Sequence, residues 1–225
     1  MSEKNNQLKN NNNSFSKTYI ITNEVFSAVT HGIGIILAII ASVFIIIKGA
    51  KMHDPLAITA FSIYAFTLFF LYLSSTLFHS LYFTKAKPVF QIFDHSSIFL
   101  MIAGTYTPYC LIGLRGTAFG IILLSIIWLL AICGILYKIF NVGKYQFIET
   151  MLYVLMGWAI VVAMHPLFIS IGATGIYLLI AGGIAFTLGA CVYLIKNLKY
   201  VHVIWHIFVL IGTAFMYFSV YLYVS

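Results

Sequence analysis

Chemistry near neutral pH in this 225-residue sequence rests on few side chains: seven histidines, five carboxylates and three cysteines. Ser75 and His79 are four residues apart, as are His202 and His206, so on a helix each pair shares one face. Two histidines one turn apart reach a single metal ion, and a third from a facing helix completes the three protein ligands of an open zinc site. The fourth position is then left for water, whose pKa zinc lowers to about 7. Imidazole suits zinc. Cys110, Cys133 and Cys191 are odd in number, lack CxxC spacing and sit in apolar runs, so no disulfide framework is implied. Asp94, if it reaches that water, orients it or accepts its proton. Blander readings compete. A lone histidine on an apolar helix commonly serves as a hydrogen-bond partner between helices, and Asp94 at the start of a helix caps it. Glu24 and His31 read as supporting or capping groups rather than ligands; His53 and His165 receive no role.

The elements that must position these residues follow from composition. Only 8% of the chain is charged and 62% is hydrophobic, with a mean hydropathy of +1.04. A soluble domain carries roughly 25% charged residues, so a soluble enzyme and a disordered protein are both excluded. An integral membrane protein remains. The net charge of +7 comes from twelve Lys+Arg against five Asp+Glu. In a membrane chain the location of the cations matters more than their sum, and no nucleic-acid partner is implied.

Residues 1–18, with their run Asn10 to Asn13, predict a disordered cytoplasmic tail and not a signal peptide. Residues 19–225 predict an all-α bundle of seven transmembrane helices. Runs free of acidic and basic side chains cover 23 residues after Glu24 and 30 after Asp54, where Asp54-Pro55 reads as an N-cap with proline at the first helical position. Two more, of 20 and 22 residues, begin at His95 and Gly116. The 46 residues after Glu149 are about twice the roughly 20 that one crossing needs. A break is marked there by His165-Pro166, Gly172 and Gly175. Tyr200 to Ser225 forms the last span, and Gly182-Gly183 with Gly189 reads as a helix-packing face. With the N-terminus inside, nine lysines (Lys4, Lys9, Lys17, Lys85, Lys87, Lys138, Lys144, Lys196, Lys199) lie on the cytoplasmic side. Lys48, Lys51 and Arg115 lie outside. That bias predicts a multi-pass protein of the plasma membrane with a cytoplasmic N-terminus and an outside C-terminus. Five of the seven histidines then fall at the cytoplasmic end.

These residues resemble the hemolysin III family, the bacterial-type branch of the progestin and adiponectin receptor superfamily. The resemblance is carried in order by Asn23-Glu24 with Thr30-His31, Ser75-Thr76-Leu77-Phe78-His79, Asp94-His95-Ser96-Ser97-Ile98, Ala103-Gly104-Thr105-Tyr106-Thr107-Pro108 and His202-Val203-Ile204-Trp205-His206. It covers about residues 19–225. It implies seven helices with the N-terminus inside, Zn2+ held by His79, His202 and His206, Asp94 as partner of the zinc-bound water and Ser75 as a nearby polar group. It also implies metal-dependent hydrolysis of amide-bonded lipids, with membrane lipids as both environment and substrate.

Two other functions compete with that enzyme. A non-catalytic receptor or sensor would hold the same zinc as a structural ion. A cytolysin must stay soluble before it inserts, which the hydropathy opposes. A transporter is not among them, since it would show ionisable residues at mid-membrane or inverted repeats with broken helices, and neither is evident in the sequence.

Overall fold

The computed structural model describes residues 16–141, 146–195 and 198–225, and all regular structure among them is helical. The tail up to Phe15 lies outside the described residues, as do Lys4, Lys9, Lys144 and Lys196 of the charge count. Helix α1 spans Lys17–Lys51, and the Ser16 hydroxyl accepts from the Tyr19 backbone N–H at 3.2 Å to cap it. Helix α2 spans Pro55–Ser80, with Asp54 as N-cap accepting from the Leu56 N–H at 3.0 Å.

Helix α3 spans Lys87–Pro108 and continues as a π turn, Tyr109–Gly113. Pro108 has no N–H for the carbonyl one turn back, and the wider turn follows directly from it. Because α3 starts at Lys87, Asp94 lies about two turns inside the helix; Ala86 occupies the cap position and makes no side-chain bond. That removes the capping role for Asp94. Helix α4 spans Ala118–Phe140, and helix α5 spans Gln146–Trp158. A 3-10 turn, Ala159–Ala163, leads into α6, Met164–Tyr193; α7 spans Val201–Tyr223.

Six stretches among the described residues are long and apolar enough to cross a membrane. The expected count of seven is not reached, because α5, the 3-10 turn and α6 run on as one stretch of 48 residues. His165-Pro166 makes no break, since proline is tolerated in a first helical turn. The interruption sits at Gly172, whose φ of 68° and ψ of 177° are open only to glycine.

Helix α2 packs along α1 and α3, α6 packs along α7, and α1 touches α7. A Cβ at Gly34 would run into the Tyr72 ring, so this glycine lets α2 lie close against α1. Gly182 faces the Gly212 carbonyl and Met216, and Gly189 faces Phe208 and Trp205, which puts that small-residue face between α6 and α7.

Two cations that the charge count assigns to loops, Lys48 and Lys138, are held by partners within the bundle. Lys48 Nζ donates to the carbonyls of Tyr221, at 2.7 Å, and Val224, at the carboxyl end of α7 where orphan carbonyls attract a cation. Lys138 is only 1% exposed. Charge position in the sequence cannot separate a loop lysine from one that a partner holds inside the bundle.

Candidate metal centre

His79 sits in the last turn of α2, while His202 and His206 occupy the first two turns of α7. One ring nitrogen from each lies within 4.8 Å of the other two. His79 Nε2 and His202 Nε2 are 3.0 Å apart. Tetrahedral zinc, with Zn–N bonds of about 2.0–2.1 Å, places neighbouring nitrogens roughly 3.3 Å from each other.

The surroundings determine which nitrogens are free. Glu24 Oε2 lies 2.7 Å from His79 Nδ1, and a carboxylate only accepts, so Nδ1 carries the proton and Nε2 keeps its lone pair. The Ser27 carbonyl, 3.1 Å from His206 Nδ1, assigns that ring the same tautomer; Thr30 Oγ1 is 3.2 Å away from the same nitrogen. The lone pair on His79 Nε2 facing His202 Nε2 accepts a hydrogen bond from it or shares a cation with it. Three converging imidazoles, two with their outer N–H groups already spent, suit a divalent transition metal. The donor set fits the ion.

His31 is not among the three. Its ring stacks on that of His206 with centroids 3.5 Å apart and 10° between planes, and meets Tyr72 edge-on at 5.1 Å. Both its ring nitrogens are buried without a hydrogen-bond partner. Glu24 therefore backs a metal-facing histidine, whereas His31 packs beside one.

Two cavities meet at the cluster. An apolar one of about 130 Å³ is lined by His31, Ser75, Asp94, His202 and His206 at one end. It continues between α3, α5, α6 and α7, past Ile98, Met101, Leu179 and Val209. Ser75 Oγ is buried without a partner, and the Asp94 carboxylate makes no hydrogen bond to another described residue. A polar cavity of about 300 Å³ holds Glu24 and His79, together with Lys87, Gln91, His95 and Glu149. His202 lines both.

Sequence reasoning missed one group at this end: Lys138, Glu149 and His95 form a buried cluster. The available signal was Glu149, an acidic residue opening a long apolar run, where an ionisable side chain needs a partner.

Residues 19–217 match the family described as Haemolysin-III related. The chain belongs to that family. Within this haemolysin-III related group, hemolysin-3 of Bacillus cereus is 47% identical over 207 residues, covering 92% of this chain and 94% of that relative. The hemolysin-3 homolog of Bacillus subtilis (strain 168) is 44% identical over 205 residues, covering 91% and 96%. A human protein, monocyte to macrophage differentiation factor, is 27% identical over 205 residues, covering 86% and 81%. Family and apolar helices together make this chain a multi-pass membrane protein whose three histidines can hold a metal ion.

Proposed function

We propose that this haemolysin-III related chain is a zinc-dependent hydrolase of amide-bonded lipids, working inside the plasma membrane in membrane lipid homeostasis. One observation carries the reading: the three imidazoles stand where an apolar cavity meets a polar one, with Asp94 and Ser75 on the apolar side. An amphipathic substrate has the same division. Its chain fits among Ile98, Met101 and Val209, and its head group faces the polar side. His79, His202 and His206 would hold the ion, with Glu24 keeping His79 in the ligating tautomer. When bound, zinc supplies Lewis acidity and water activated at neutral pH. Asp94 would take the proton of the attacking water as its oxygen bonds the carbonyl carbon; the carbonyl–nitrogen bond then breaks, and Asp94 returns that proton to the leaving amine. Ser75, with its hydroxyl unengaged, hydrogen-bonds the substrate carbonyl.

The same reading extends to topology. Gly172 divides the 48-residue run into two pieces of about the length one crossing needs, which makes seven spans. Removing Lys138 and Lys48 from the loop count leaves the cytoplasmic excess in place, so the N-terminus is assigned to the cytoplasm.

The test is turnover of an amide-lipid panel by purified, zinc-loaded protein. Release of fatty acid that disappears in His206→Ala and Asp94→Asn supports the reading; an undiminished rate in either variant ends it. The name of the Bacillus cereus relative favours a second reading, membrane damage. Lysis of erythrocytes by pure protein at low dose, insensitive to metal removal, would establish it.

A further inference from the structure

Three helices build a charge cluster that the metal centre does not use. Lys138 of α4 donates to both carboxylate oxygens of Glu149 on α5, each at 2.9 Å. Glu149 Oε2 also accepts from His95 Nδ1 of α3 at 3.2 Å. Lys138 is 1% exposed and Glu149 2%. Tyr153, one turn along α5, donates its hydroxyl to the His95 carbonyl at 3.0 Å and holds the same segment of α3.

Stability alone is a weak reason for this arrangement, because the cost of desolvating a buried ion pair offsets much of its attraction. What it achieves is orientation. Glu149 can only accept, so His95 carries a proton on Nδ1, and the ring with that tautomer has its lone pair on Nε2. Nε2 makes no hydrogen bond to a described residue, and His95 lines both the apolar and the polar cavity. An aimed, unengaged acceptor therefore faces the border between them.

We propose that His95, oriented by the Lys138–Glu149 pair, determines specificity by accepting a hydrogen bond from an N–H or O–H group at the junction of a lipid's chain and head. The chemistry of the donor follows from the tautomer. Only the choice of an amide lipid as probe rests on the hydrolase reading. A ligand with its donor blocked leaves the acceptor unpaired in a poorly hydrated place, which costs binding.

The experiment uses the full chain, metal-loaded, in nanodiscs. Binding is read from the fluorescence of Trp158 and Trp205, which line the apolar cavity. The probes are N-acylsphingosine, its N-methyl derivative and its O-methyl ethers. The wild type should bind the parent about tenfold more tightly than one blocked derivative, and the derivative that loses affinity tells whether N–H or O–H is read. His95→Leu should bind all of them alike. His95→Gln, whose amide oxygen can accept near the place of Nε2, should restore part of the preference. Lys138→Met with Glu149→Leu leaves no orphaned charge, and it should lose the preference while keeping its metal. Equal binding of all probes by the wild type, no binding at all, or an undiminished preference in His95→Leu overturns the proposal. Turnover measured on the same preparations keeps the two readings apart: a preference without hydrolysis removes only the hydrolase reading, and hydrolysis without a preference removes only the role of His95.

Discussion

The two ends of the bundle treat their polar side chains differently. At the far end Lys48 spends its ammonium on carbonyls of α7, and Arg115 pairs with Asp54, which also caps α2. Each of these three side chains has its partner. At the other end Asn23, Ser27, His31, Ser75, Thr76 and Ser96 all bury a polar atom that nothing in the described structure satisfies. Buried polar groups are almost always hydrogen-bonded, and an orphan left inside a low-dielectric span costs free energy. In the far half of the bundle, among the described residues, the Tyr64 hydroxyl alone is left so. Around the histidines the protein leaves donors and acceptors open beside two cavities, the condition of a site that receives water, an ion or a ligand.

That contrast can be broken. The largest effect should come from His79→Ala, His202→Ala and His206→Ala, each reducing stoichiometric metal to a trace by elemental analysis of pure protein. Stoichiometric metal in all three would end the metal-centre assignment. Next in size, Glu149→Leu leaves Lys138 buried without a counter-charge and should cost about 3–5 kcal/mol in detergent unfolding. Adding Lys138→Met should recover most of that loss, since an apolar replacement of a whole pair is often neutral. Glu24→Gln should weaken metal binding roughly 10–100-fold in chelator competition by loosening the tautomer of His79. The far end should respond least: Lys48→Met by about 1 kcal/mol and Arg115→Ala by about 0.5 kcal/mol or less, both with full metal content. A loss of metal in either would mean that the two ends are coupled.

Much of the architecture was legible beforehand, because water-free surroundings exclude charge and so write each helix as a charge-free run. The Asp54-Pro55 start of α2 and the small-residue face of α6 were legible for local reasons, a cap and a close approach. The run from Glu149 to Ile195 was legible only in part, with Gly172 among its three break markers. Proline at 166 marks a break only if it lies in a helix interior, and the fold puts it in a first turn; the break falls at Gly172, where backbone conformation decides. Asp94 looked like a cap because the start of α3 at Lys87 precedes its long apolar run by two turns.

By itself the sequence determined membrane residence, the helical class and the helix faces that carry His79, His202 and His206, since all three depend on composition and on the 3.6-residue period. Only the tertiary structure decided which polar groups pair. Lys138 reads as one more loop cation until Glu149 of another helix is found against it, and His95 acquires a direction only through that carboxylate. The reason is physical: a period says which face a side chain occupies, whereas tautomers, orphaned atoms and buried charges depend on what the neighbouring helix brings to that face.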